Sequence, residues 1–481
     1  MENKTSLFVK LGYIYLILPV IIFIFGYCKL PIAIAGGILI AVSSYFVFKN
    51  SLKLWKPDNG RQQVFLAVVF LISLVWVYSS GIGALVFQNF DHNCRNPIFE
   101  LLTTQDWPVV VADNKMILTY YTGFWMVPAV VGKLFQSVDI GYYAQIVWAS
   151  TGVFLVFYYM LASLKKKNFM PVLVFIFFSG MDYIGASILQ NFAEYNDFYN
   201  PNNIVSHLEW WFPGFQFSSM TTQLYWVFNQ AIPAWVLTML LYNSKSNRST
   251  IFLYSCILLC STLPAIGIFP FILFWCLKNG EEDLKKLISK EHIKNAIKSA
   301  LSIENITGIV FILPVIYMYL SNNISGGTIG AVPLTFSRIS CVFYLFLMME
   351  VGFYLILIFK LNKHNPLYYI CMFCFAAYPF YYIGHSVDFC MRATIPALVI
   401  LSFMIIQALE NEDFKNNNKK LYITLVICLL CGALTPIHEI ARTIINTSKG
   451  ITKAKSELGI ENFFGTVENN NFVKYISRFK Q

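Results

Sequence analysis

In the stretch FQNFDHNCRNP, residues 87–97, an acid, an imidazole and a guanidinium (Asp91, His92 and Arg95) fall within five positions, directly after about two dozen almost uncharged residues. A carboxylate placed there can act as a general base or orient an acceptor hydroxyl. It can also close an ion pair with Arg95, because positions i and i+4 share one face of a helix. A second group lies in SHLEWWFPGFQFSSMTTQLYW, residues 206–226, where His207 and Glu209 precede Trp210 and Trp211 with no balancing cation. Aromatic faces stack on the apolar faces of sugars, and they also partition to membrane interfaces without any chemistry. A third is YIGHSVDFCMRATIPAL, residues 382–398, with His385, Asp388 and Arg392. Arginine suits bidentate contact with phosphate, and at i, i+4 it can equally pair with Asp388. A fourth pair sits inside apolar runs: Asp182 in FFSGMDYIGAS and Glu350 in LMMEVGF. Ionisable groups in such runs are costly and are functional candidates by default; for Glu350, helix packing or a neutral buried acid is the competing reading.

These groups need elements to hold them, and composition says which kind. The 481-residue chain is 57% hydrophobic, 17% aromatic and only 12% charged, with a mean hydropathy of +0.59. Soluble domains average about 25% charged residues, so the chain reads as all-α and polytopic, a transmembrane helical bundle in the plasma (inner) membrane. Apolar runs recur at the length of roughly 20 residues that a helix needs to cross a hydrocarbon core of about 30 Å. The first, residues 11–28, is not followed by a small-residue cleavage site and reads as a span rather than a signal peptide. The formal net charge of +10 sits mostly in short loops, which fits a cytoplasmic face and gives no reason to invoke nucleic acid. Most of the 11 cysteines lie inside apolar runs, where a thiol behaves as a small hydrophobe; neither disulfides nor a metal centre is expected of them.

Spans are expected near 11–28, 30–48, 64–88, 142–163, 169–189, 222–242, 250–263, 265–277, 305–321, 339–360, 366–384, 393–409 and 420–437, about thirteen in all. A cytoplasmic N-terminus puts the Lys- and Arg-rich loops on one side. Loops 89–141, 190–221, 322–338 and 385–392 then share the outer side, and the second of them has no Lys or Arg. The segment 119–135 fits this scheme as an aromatic helix in the outer interface, and 250–277 as a hairpin with Pro264 at its tip. The linker 278–300 reads as an amphipathic helix on the cytoplasmic surface. Three regions follow: two N-terminal spans with a cytoplasmic loop (1–63), a main transmembrane module (64–437) and a polar tail (438–481).

An acid heading a large first outer loop, followed by an interfacial helix and an inward-returning span, resembles the GT-C superfamily of membrane glycosyltransferases, which includes protein O-mannosyltransferases, the lipid A aminoarabinose transferase and oligosaccharyltransferases. The matching residues are Asp91 in NFDHN and the segment TYYTGFWMVPAVVGKLF; more locally, FDHNCRNPIFE, HLEWWF, TTQLYWVFNQAIPAW and DFCMRATIPAL resemble a bacterial group of such proteins. The resemblance implies a GT-C-like core and an inverting transfer of a sugar from a polyprenyl-phosphate carrier to a glycan, lipid or protein acceptor of the cell envelope. On that reading Asp91, Asp182 and Glu209 are the catalytic candidates. His92, Arg95, His207, Trp210, His385, Asp388 and Arg392 are the candidates for binding substrate. Two spans more than usual precede the acid, and no second acid follows Asp91, which leaves a divalent-metal requirement open. The rival readings are a flippase or transporter of a lipid-linked saccharide, which would place its polar site near the midplane between repeats, and a polysaccharide polymerase or ligase.

Overall fold

The computed structural model describes residues 7–111, 115–189, 207–212, 215–321, 323, 329–331, 341–383, 388–454 and 463–479. His385 lies outside them. Among the described residues nine helices are long and apolar enough to cross a membrane: Leu7–Tyr27, Leu30–Lys49, Gly60–Ser79, Val138–Ser163, Met170–Leu189, Met220–Tyr242, Ile303–Leu320, Phe343–Asn362 and Lys419–Ser448. Four shorter apolar helices accompany them: Gly123–Leu134, Thr262–Lys278, Pro366–Phe380 and Ile395–Glu410. The chain is thus an all-α, multi-pass membrane bundle. The central element is Met220–Tyr242, almost wholly buried and packed against Val138–Ser163, Ile395–Glu410 and Thr262–Lys278. Peripheral helices instead turn large apolar side chains outward, such as Ile34 and Ile38 on one and Leu71 and Val75 on the next. Lipid tails are the natural solvent for such a surface.

The irregularities are what build the site. The third span does not run to residue 88; its helix ends at Ser79, and Gly81 and Gly83 take positive φ in a tight turn. A Cβ on Gly81 would meet the carbonyl of Phe87, so the turn requires glycine on both counts. A separate helix, His92–Thr104, then begins with Asp91 at its N-cap position. Asp91 and Arg95 are therefore not on a continuation of the third span, although the one-turn spacing between them is kept.

The span expected at 169–189 breaks in the middle, into Met170–Phe177 and Asp182–Leu189. Groups freed by the break find partners on neighbouring elements: the Phe178 carbonyl accepts from the amide of Met220, the Met181 amide donates to Met349, and the Ser179 carbonyl accepts from the Tyr354 hydroxyl. That is the condition under which non-helical backbone survives at membrane depth. Glu350 sits in a single π-type turn, Met348–Gly352, facing this break.

The expected hairpin at 250–277 is present, but Pro264 lies inside its second helix rather than at the tip, and the chain reverses at residues 258–261. Antiparallel arms follow from Asn247, ahead of the first, whose side chain donates to the Cys276 carbonyl near the end of the second. The first arm, Thr250–Ile257, has 8 residues, about 12 Å of helix at 1.5 Å per residue, too short to cross by itself. At the tip, Ser261 donates to the Gln230 carbonyl, halfway along Met220–Tyr242. The aromatic segment after residue 119 forms the 12-residue helix Gly123–Leu134, also too short to span. In the linker, Lys290–Ala300 leaves Ile293 and Ile297 exposed on one face.

Contacts between loops sort into two faces. On one, Lys166 pairs with Glu412, and Lys360 donates to Asn418. On the other, a small antiparallel sheet joins β1 (Val110–Val111) and β2 (Met116–Leu118) of the first large loop to β5 (Phe464–Thr466) of the tail. There too β3 (Ile329–Ala331) pairs with β4 (Tyr381–Ile383). These pairings join only segments assigned to the same side by loop charge. The boundary drawn at residue 437 falls inside the helix pair Lys419–Gly432 and Leu434–Ser448, so the start of the supposed tail is a packed helix.

Candidate functional site

On the face that carries both sheets, three of the four sequence groups meet around one cavity of about 140 Å³. Its lining includes Asp91, His207, Trp210, Asp388 and Arg392, together with Gln216 and Trp226. Each wall is placed by local chemistry. Asn89 donates through Nδ2 to the carbonyl of Tyr225, tying the first loop to the kink at Val227 in the central helix. Asn96 and Gln88 bond side chain to side chain, and Gln88 also reaches the Gly81 carbonyl, so the polar residues flanking Asp91 fix its helix against the preceding turn. The central helix starts at Ser219, whose hydroxyl accepts from the Thr222 amide, and Thr222 lines the cavity.

Both one-turn ion pairs form. Arg95 donates to Asp91 Oδ2 at 2.7 Å, and Arg392 forms an ion pair with Asp388 Oδ2 at 3.0 Å. Their surroundings differ: Arg95 is buried under the cavity wall, its guanidinium over the Phe228 ring, whereas Arg392 lines the cavity and also donates to the Tyr121 hydroxyl at 3.0 Å. Among the described residues Nε and one terminal nitrogen of Arg95, and Nε of Arg392, have no hydrogen-bond partner. Trp210 is 58% exposed, an open aromatic face edge-on to His207.

No family model, curated protein or solved structure matches this chain.

The remaining sequence candidates stand behind the walls. Asp182 is fully buried and accepts hydrogen bonds from Ser179 at 2.9 Å and Thr435 at 2.8 Å, binding the broken helix to Leu434–Ser448. Glu350 accepts from the Trp211 indole at 2.8 Å. Glu209 is buried too, with one oxygen on the Ser219 amide at 2.8 Å and the other on Gln216 at 2.7 Å, so it braces the start of the central helix. Burial pushes its pKa up; His207 opposes that and Asp182 adds to it. His92 does not reach the cavity: it stacks on Phe228, and burial followed by the charge of Arg95 brings its pKa down to about 3, leaving a neutral ring that packs.

Two groups at the site escaped the sequence reading. Glu439, on Leu434–Ser448, is buried beside His207 and bonds its Nδ1 at 3.0 Å; it also accepts from the Trp226 indole at 3.1 Å and from Arg442 at 2.6 Å. Arg442 in turn lies over the Trp226 ring. Burial alone would lower the His207 pKa, but Glu439 beside it, helped by Glu209 and opposed by Arg442, leaves it raised. The legible signal was the i, i+3 pair Glu439 and Arg442 in LTPIHEIARTIINTS, an apolar-patterned stretch that continues the preceding span.

The cavity residues do not assemble a metal site. Asp91 and Asp388 are each turned onto an arginine, and among the described residues no group of three His, Cys, Asp or Glu side chains could hold a metal ion. What the arrangement offers is a carboxylate, a carboxylate-held imidazole, an anion-binding guanidinium and an exposed indole around one small space.

Proposed function

We propose that this chain is a GT-C-like glycosyltransferase that takes a sugar from a polyprenyl-phosphate carrier at the outer face of the plasma membrane and passes it to an acceptor of the cell envelope. The observation that carries the reading is the meeting of Asp91, His207, Trp210 and Arg392 around one cavity, although they come from three separate outer segments. Lipid-phosphate sugar transfer needs an anion-binding group for the leaving phosphate, a group to orient or deprotonate the acceptor hydroxyl, and a surface for the sugar ring. Arg392, a cation in the cavity wall, suits the first role. Asp91 suits the second, and the exposed face of Trp210 the third. The thirteen expected spans less the two hairpin arms give about eleven membrane passes in the proposed topology, with the hairpin at 250–277 entering and leaving on the cytoplasmic side.

A midplane polar site between repeats would favour a transporter, and that reading would point to Asn229 and Gln230, buried halfway along the central helix with side chains that have no hydrogen-bond partner among the described residues; the same assay separates the two. The test supplies membranes containing the full chain with radiolabelled polyprenyl-phosphate glucose, mannose, galactose or N-acetylglucosamine, and measures label leaving the carrier. Release that depends on the chain supports the reading. Carrier-linked label moved across vesicles with no release from any of the four overturns it in favour of transport.

A further inference from the structure

Asp91 and His207 both face the cavity, and both could accept a proton. Their commitments differ. Asp91 gives one oxygen to Arg95, a buried guanidinium with no other hydrogen-bond partner among the described residues. Removing that carboxylate's charge by protonation would strand Arg95 in a buried place, a penalty that falls in the same step as the reaction. His207 is arranged the other way. Its Nδ1 lies 3.0 Å from a carboxylate that already accepts from Trp226 and Arg442, so Glu439 is the acceptor and the ring carries its hydrogen on Nδ1. That leaves the Nε2 edge, which faces the Gln216 amide at 3.4 Å, and Gln216 is itself part of the cavity wall. Stacking on Trp226, with ring centroids 4.9 Å apart, and the edge-on contact with Trp210 hold the ring in place. A nitrogen base whose far side is fixed by a buried carboxylate is the arrangement used to activate hydroxyl nucleophiles.

We infer that His207 is the proton-accepting catalytic residue of this cavity and that Glu439 is its positioning residue, with Asp91 orienting the acceptor hydroxyl instead of deprotonating it. The inference rests on the glycosyl-transfer reading. In the step, the acceptor oxygen forms its bond to the anomeric carbon as the bond from that carbon to the phosphate oxygen breaks. The bonding pair leaves with the polyprenyl phosphate, and the hydroxyl proton passes to His207 Nε2. The imidazolium that results keeps its Nδ1 hydrogen on Glu439. Nothing else is consumed.

Charged groups face His207 from each side: Glu439, Arg442 and His438 from one helix, Glu209 from its own turn, and Asp91, Asp388 and Arg392 around the cavity. Because the balance leaves the ring raised above the ordinary histidine value near 6.5, activity should fall as pH drops through a limb lying above that value. The experiment uses the full chain in lipid nanodiscs with whichever of the four labelled polyprenyl-phosphate hexoses it accepts. His207→Gln should lower kcat by about 100-fold or more while affinity for polyprenyl phosphate alone persists, which also reports that the variant is folded. Glu439→Gln should move the acid limb to lower pH, since it removes the carboxylate that raises the histidine, and Glu439→Asp should restore part of the shift. An unmoved acid limb in Glu439→Gln, or near-normal kcat in His207→Gln, overturns the inference while wild-type transfer leaves the function standing. If His207→Gln does not fold, the Glu439 limb decides alone. No release by the wild-type chain from any of the four carriers brings down the function and this inference together.

Discussion

Two groups of acids meet at Gln216, a residue of the cavity wall that donates to Glu209, and they are put to opposite uses. Around the cavity, Asp91 and Asp388 are partly exposed and bind arginines that retain unpartnered donors. Behind it, Asp182, Glu350 and Glu209 are buried and take donors from hydroxyl, indole and amide groups of neighbouring elements. The first group lines a space and is held at its edge by arginines; the second joins broken helices, with one oxygen each of Asp182 and Glu350 left without a hydrogen-bond partner among the described residues. Residue type does not separate them, since both are acids in or beside apolar runs. Whether the acid reaches the cavity does.

The comparison breaks most visibly at Asp91. Asp91→Asn should abolish sugar release, a drop of at least about 100-fold per folded molecule, and, because it leaves the buried Arg95 guanidinium without its carboxylate, it should also cost up to about 3 kcal/mol of thermal stability in detergent. Near-normal release would make Asp91 one more structural acid. The matched change behind the wall, Gly180→Ala, should touch stability alone: a Cβ there collides with Glu350, and overpacking of this kind costs about 1–3 kcal/mol. It should appear as a lowered Tm with Michaelis constants little altered in the surviving folded fraction. An unchanged Tm would mean that the buried cluster is loosely packed.

Arg392→Ala should weaken binding of polyprenyl phosphate about tenfold, equivalent to 1.4 kcal/mol, measured by titrating the lipid into nanodisc-held protein. Unchanged affinity would assign the phosphate to Arg95 or to another cation. The smallest effect is expected at Trp210, whose exposed ring tolerates replacement. In a background freed of other cysteines, Trp210→Cys should react with an impermeant maleimide added outside intact cells, with folding unaffected. Protection outside and labelling only from the cytoplasm would invert the topology and place the cavity on the wrong side for an outer-leaflet carrier.

How much of this could be read in advance depended on the range of the interaction. The Asp91–Arg95 and Asp388–Arg392 pairs are local, set by one helical turn, and were visible from spacing. The shortness of Gly123–Leu134 and the amphipathic linker followed from charge placement and apolar period. The end of the third helix at Ser79 was harder, because residues 80–88 still carry Ile82, Leu85, Val86 and Phe87 and no charge, and the turn depends on positive φ at Gly81 and Gly83. Glu209 looked exposed and reactive, yet an amide ten residues away and the Gln216 side chain claim both its oxygens. Glu439 was harder still: its spacing from Arg442 marks it as an acid on a helix, but it meets His207 across 232 positions of sequence, and nothing local points to that partner.

The pairing of β5 with β2 and the approach of Glu439 to His207 bear on when the molecule becomes competent during synthesis. Asp91, His207 and Arg392 are all made before Glu439, and chains begin to fold from the N-terminal side as they emerge. A nascent chain halted at about residue 430 would carry the cavity's arginines and aromatics, but its histidine would lack a carboxylate on Nδ1, and its first-loop sheet would be missing an edge strand. On the proposed mechanism such a product can hold a lipid phosphate and cannot turn it over. Assembly would therefore work as a check on completeness, with transfer withheld until the Leu434–Ser448 helix is seated.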